Sequence, residues 1–311
     1  MHNLIVQFWP STVDGLTIGA IYALVALGYT LVYGVLKLIN FAHSEVFMIG
    51  TFASLFALHA LNITTPQNGL SLVGVLLVCA LAAMLASGGA AVLLERVAYR
   101  PLRKRGATRL AALISAIGAS FFLQEVFAVR YGRDLLAFPR VMAKQELFRI
   151  GSGVVRNDKL LVMVASVVMM VILDRIVVGT RLGRGIRAVA QDAETAVLMG
   201  VNIDRVVVTT FMLGGAMAGV AALLFGVRFE NTRYDIGFVL GIKAFTAAVL
   251  GGIGNLRGAL LGGLALGLIE NYGASVWGSE WKDVISFTVL VVVLLFRPSG
   301  LLGEALTRSR A

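Results

Sequence analysis

The chain has 311 residues, 58% of them hydrophobic and only 14% charged, with a net charge of +10. A soluble domain carries about 25% charged residues, so the composition excludes an ordinary soluble protein and points to one that lives in a bilayer. The basic residues lie between apolar runs, where they orient the chain and meet anionic headgroups, so no nucleic-acid partner is implied.

The first stretch, "MHNLIVQFWPSTVD", has no lysine or arginine. A secretory signal needs a positive start, so the first apolar run is expected to stay uncleaved in the membrane. Apolar runs on the scale of the roughly 20 residues that span a bilayer then fall at 16–36, 38–61, 70–94, 107–129, 159–180, 206–227, 236–254, 258–278 and 283–297. The expected fold is all-α: one polytopic transmembrane domain over 1–311 with about nine helices, within a range of eight to ten, and short loops. Glycines spaced by four (Gly15 and Gly19, Gly215 and Gly219, Gly258 and Gly262, Gly263 and Gly267) mark faces where helices pack closely. Cys79 lies alone in an apolar run and reads as a packing residue; no metal-ligand spacing is present, so no metal is expected.

Counting spans puts three basic stretches on one side: the loop 95–109, the segment 181–205, and the tail with Arg297, Arg308 and Arg310. The positive-inside rule makes that side cytoplasmic and leaves the N-terminus outside. The loop 130–158 falls on the outer side despite Arg130, Arg133, Arg140, Lys144, Arg149 and Arg156. That conflicts with the rule, which weakens for longer loops.

The segment 185–205, "GIRAVAQDAETAVLMGVNIDR", is too regular for a plain connection. Asp192 is placed to cap a short helix from Ala193, with Glu194 and Thr195 in its first turn. Gly200 is placed to end it, and Asn202 to cap the next helix from Ile203. Its apolar face, Ala193, Val197 and Leu198, needs either a membrane surface or a soluble partner to cover it.

Ionisable groups inside a bilayer are functional candidates. Glu125 can reach water or Arg130. Lys243 and Glu270 can neutralise each other, or Lys243 can snorkel. In "LINFAHSE", a continuous helix would place Asn40, His43 and Ser44 within about 100° on one face, with Glu45 turned away. That face could line a translocation pathway. Alternatively, Asn40 or Ser44 caps a helix that begins in mid-membrane. No nucleophile-and-base constellation and no GxSxG or HExxH is present. There is no GxxxxGK[ST], so this chain makes no phosphate cradle and any ATP is used by another chain.

Five stretches together resemble the permeases of branched-chain amino acid importers, specifically the LivH type: "LINFAHSEVFMIG", "ERVAYRPLR", "LISAIGASFFLQE", the 185–205 segment and "AVLGGIGNLRGALLGG". The resemblance implies a bacterial inner-membrane heterodimer with a LivM-type permease. It further implies two cytoplasmic ATPase subunits and a periplasmic substrate-binding protein. Residues 187–202 would then be the ATPase coupling segment, with Arg187, Asp192, Ala193, Glu194, Ala196, Met199, Gly200 and Asn202 at the contact. Arg130, Arg133 and Arg140 would face the binding protein. No cofactor is expected on this chain. The competing reading is a stand-alone secondary transporter or channel with His43 and Glu45 as proton-coupling groups.

Overall fold

The computed structural model describes residues 2–297 and 299–303; Arg308 and Arg310 of the expected basic tail lie outside the described residues. Helices occupy all nine apolar runs. They are α1 (His2–Leu36), α2 (His43–Ala60), α3 (Gly69–Leu94), α5 (Arg109–Tyr131), α6 (Asn157–Gly179), α9 (Ile203–Phe229), α10 (Ile236–Gly251), α11 (Leu256–Trp277) and α12 (Lys282–Phe296). The protein is therefore a polytopic helical membrane protein. Among the described residues, six stretches can each cross a bilayer by length and hydropathy: 7–36, 69–104, 109–131, 157–179, 203–229 and 256–277. Helices α2, α10 and α12 are shorter, at 18, 16 and 15 residues.

α1 and α9 are buried almost all round and form the centre, packed with α2, α10 and α11. α3, α5 and α6 are as apolar but turn outward, leaving Leu85, Leu93, Phe122, Val129 and Val168 exposed. A bilayer or a partner subunit must cover such faces. The spaced glycines do set the contacts. A Cβ built on Gly19 would stand 2.6 Å from the Gly263 carbonyl oxygen, and one on Gly215 2.6 Å from that of Ser87. Only glycine lets α1 meet α11, and α9 meet α3, backbone to backbone.

Two faces emerge. On one, Arg100 and Arg103 reach Asp204, Asn255 reaches the Leu302 carbonyl, and Leu36 and Leu38 line one cavity with Leu102. The stretches 95–109 and 181–205 and residues 299–303 thus share a side, as span counting expects. Residues 95–104 are not a loop, however. α3 continues through a π-helical turn, Glu95–Tyr99, into α4 (Arg100–Lys104). On the other face, strands β2 (Glu146–Ile150) and β3 (Gly153–Arg156) make an antiparallel hairpin against Trp9 of α1. β1 (Leu136–Ala137) pairs with β4 (Asn231–Thr232). β1, β2 and β3 lie within the loop 130–158 and β4 follows α9, so these strands depart from an all-helical pattern.

Most cations of that loop are paired in place. Arg133 pairs with Glu125, Arg140 and Lys144 with Glu230, Arg149 with Glu146, and Arg156 with Asp158. Lys159 and Arg228 both reach Asp14. Glu125 therefore answers Arg133, whereas Arg130 lies over the ring of Tyr131.

Candidate functional site: a broken-helix seam, an apolar cavity and a capped surface helix

"LINFAHSE" does not form one helical face. α1 ends at Leu36, residues 37–42 are irregular, and α2 starts at His43, so Asn40 lies off the helix. The break is deep. His43 meets the Val25 backbone and abuts Gly28, which at 1.5 Å per residue is about 12 to 16 Å inward from the end of α1. α2 thus starts within the helical bundle, but neither Asn40 nor Ser44 caps it with its side chain. The N-cap residue is Ala42, without a side-chain bond. The first turns close on the main chain, with the His43 amide donating to Asn40 O and that of Glu45 to Ala42 O.

All four polar residues are at most 3% exposed in this chain. Asn40 Oδ1 accepts from Tyr99 of the π turn at 2.8 Å. Glu45 Oε1 accepts from Ser44 at 3.0 Å, from Ser120 at 3.0 Å and from Gln124 at 2.8 Å, which ties α2 to α5. Asn40 Nδ2, His43 Nε2 and Glu45 Oε2 are buried without a partner. α10 also begins inside the protein, and Gly237 and Gly241 pass against Ser44. The seam thus brings together two helix starts and three unsatisfied polar atoms. His43 and Glu45 do not meet: His43 faces Tyr29, while Glu45 faces α5.

A second polar group lies one helix away. Lys243 Nζ bonds Glu270 Oε1 at 2.9 Å and Asp283 Oδ1 at 2.6 Å. Tyr22 and Ser286 hydroxyls donate to Glu270 Oε2 at 2.9 and 3.1 Å. Mutual neutralisation of Lys243 and Glu270 is therefore correct, and sequence spacing could not have added Asp283. The pair borders a cavity of about 260 Å³ whose other walls are mainly apolar, including Ile18, Ile21, Phe225 and Leu240. None of Asn40, His43, Ser44 or Glu45 lines it.

On the face with 95–104, α7 (Arg181–Gln191) precedes α8 (Ala193–Leu198). α7 was not legible as a helix apart from the connection. α8 has the expected punctuation. Asp192 accepts from the Glu194 and Thr195 amides and from the Thr195 hydroxyl. Gly200 has φ +82°. Its amide bonds Val197 O while that of Val201 bonds Ala196 O, the paired closure of a Schellman end. Asn202 accepts from the Arg205 amide and starts α9. The apolar face needs correction. Val197, Leu198 and Met199 are exposed, but Ala196 is 3% exposed and Ala193 packs on the core, because α8 lies on α7 and α9. Ala196 cannot touch a docked partner. The Arg187 guanidinium donates to the Val177 carbonyl and pins α7 to α6.

A family model described as a branched-chain amino acid transport system permease component matches residues 11–294. This chain belongs to that permease family. The permease is 43% identical over 304 residues to BraD of Pseudomonas aeruginosa, a high-affinity branched-chain amino acid transport permease, covering 96% of this chain and 97% of that one. It is 41% identical over 310 residues to LivH of Escherichia coli K12, covering 98% of both. A protein of Methanocaldococcus jannaschii described as a probable branched-chain amino acid transport permease is 26% identical, over 90% of this chain and 88% of its own length. The permease is thus a multi-pass transport component that works within a transporter complex.

Proposed function

We propose that the permease is the LivH-type half of a bacterial inner-membrane importer, paired with a LivM-type permease, and that it passes branched-chain or other hydrophobic amino acids inward. Its N-terminus lies outside and residues 299–303 face the cytoplasm. A periplasmic binding protein delivers substrate, with Arg130, Arg133 and Arg140 toward it. Two cytoplasmic ATPase subunits hold and hydrolyse ATP. The substrate class rests on what the Pseudomonas and Escherichia relatives are named for; the apolar cavity with a charged rim suits such a molecule.

One observation carries the mechanism: α8 is capped at both ends and presents Val197, Leu198 and Met199 away from the core. A rigid apolar knob on the basic face suits a groove in a soluble subunit. Displacing it moves α9 through Asn202, and α9 carries Asp204 against Arg100 and Arg103. Tyr99 of the same stretch holds Asn40, so the push reaches the start of α2. In this reading the seam of Asn40, His43, Ser44 and Glu45 is the closed part of the pathway, and its unsatisfied atoms await water or substrate when it opens.

The test is uptake into proteoliposomes. Leucine uptake should need both permeases, the ATPases, the binding protein and ATP. Uptake by this chain alone on a proton gradient would instead make it a secondary transporter.

A further inference from the structure

A second cavity, of about 210 Å³, lies between the end of α1, the α3–α4 junction and the start of α5, lined by Leu36, Leu38, Tyr99, Leu102, Arg103 and Arg109 among others. Its chemistry is that of an anion site at a membrane surface. Three guanidiniums, Arg100, Arg103 and Arg109, surround it or stand one turn away, against two carboxylates, Glu95 and Asp204. Arg103 already serves both carboxylates through Nη2. Its Nη1 is buried with no acceptor, and so is Arg100 Nε. Neither atom is open to the cavity; its cationic wall is the accessible part of Arg103 together with Arg109, a pair of guanidiniums that suits an oxygen anion. The apolar half of the lining would be wasted on a soluble anion. Next to the lining residues, Val97 on the π turn and Leu110 on α5 are 69% and 64% exposed, and Leu93 and Ile114 continue these two apolar tracks along their helices.

We propose that this cavity binds a phosphate group, that of an anionic phospholipid whose chains run along Leu93 and Val97 on one side and Leu110 and Ile114 on the other. The occupant bridges α1, α4 and α5 beside Asp204, the residue that anchors the start of α9. The proposal is independent of the transported substrate.

The test is native mass spectrometry of the purified permease complex after delipidation. Phosphatidylglycerol, phosphatidylcholine or inorganic phosphate is added back separately. Phosphatidylglycerol should be retained well above phosphatidylcholine. Arg109→Gln removes one guanidinium, and Ala107→Trp fills the cavity without touching an ion pair. Arg109→Gln should lower phosphatidylglycerol retention roughly ten-fold, the worth of one charge-assisted contact, and Ala107→Trp, which blocks a lining position, should lower it at least as far. Displacement of the lipid by millimolar inorganic phosphate, itself lost in both variants, would assign the same site to free phosphate. Equal retention of the two lipids, or retention unchanged in both folded variants, overturns the proposal.

Discussion

The His43 imidazole occupies the space that a side chain on Gly28 would need: a Cβ built on Gly28 runs into Nε2 and stands 2.9 Å from the Gly214 carbonyl oxygen. Gly28 therefore does two things. It admits the first residue of α2 into the membrane interior, and it lets α1 approach α9. Gly28→Ala should destabilise the permease by about 1–3 kcal/mol, the usual cost of overpacking. His43→Ala should recover part of that loss in the double variant, because the ring clash is gone while the clash with Gly214 remains. Melting temperatures of the four forms in one detergent check this. Additive losses would mean that the two residues do not share the space.

Lys243 is the only cation described against Glu270, but Glu270 is not the only anion on Lys243. Breaking such a buried pair from one side leaves an uncompensated charge, at about 3–5 kcal/mol. Lys243→Met should therefore destabilise strongly, and Lys243→Met with Glu270→Gln should recover most of the loss. Glu270→Gln alone should be milder, since Lys243 keeps Asp283 at 2.6 Å. Thermal stability of the purified chain orders the three variants; a Glu270→Gln loss as large as that of Lys243→Met would refute the asymmetry.

Gly200 needs its positive φ, and a β-branched residue there costs about 1–2 kcal/mol more than glycine. Gly200→Val should loosen the end of α8 and lower substrate moved per ATP hydrolysed. Gly200→Asn should retain most coupling, because asparagine tolerates this conformation. Uptake and ATPase rates measured on the same proteoliposomes give the ratio. Unchanged coupling in Gly200→Val would show that α8 does not transmit force through its end.

The Thr195 hydroxyl, with the Thr195 and Glu194 amides, holds the Asp192 carboxyl below its ordinary value. A depressed carboxylate stabilises the fold above its unfolded pKa, about 3.9, and that contribution is lost only as pH falls through the lower folded value. Hydrogen exchange of the α8 amides, corrected for intrinsic rate, should therefore be flat from pH 8 to 5. Asp192→Asn should match it, since asparagine also caps, and Asp192→Ala should exchange faster throughout. A fall in protection between pH 8 and 5 would assign control of α8 to another group.

What was legible in the sequence is what is decided locally. Asp192, Gly200 and Asn202 act within three residues of themselves, so the ends of α8 could be read directly. The nine apolar runs could be read because lipid and core both demand them. A helix start within "LINFAHSE" is one of two readings, but its closure on the main chain at Ala42 and the partners of its polar groups were not legible. Tyr99, Ser120 and Gln124 hold its polar groups, and they lie 59, 75 and 79 residues away along the chain. The same is true of the outer loop. Arg133, Arg140 and Lys144 find their partners, Glu125 and Glu230, on other elements.

Glu45 tests the seam itself. Its Oε1 takes three donors and its Oε2 takes none. Glu45→Gln keeps an oxygen for those donors and changes only the unsatisfied side, so the tie between α2 and α5 should survive, and with it assembly and melting temperature. If Oε2 is what the opened pathway presents to water or substrate, uptake should still fall while ATP hydrolysis continues. Glu45→Ala should behave differently: it strands Ser120 and Gln124 in the interior, at about 1–3 kcal/mol for each buried donor left alone, and should lose stability and uptake together. Measuring assembly, ATPase rate and uptake for both variants separates the two roles. Normal uptake by Glu45→Gln together with a destabilised Glu45→Ala would make Glu45 a tie between helices and remove it from the pathway.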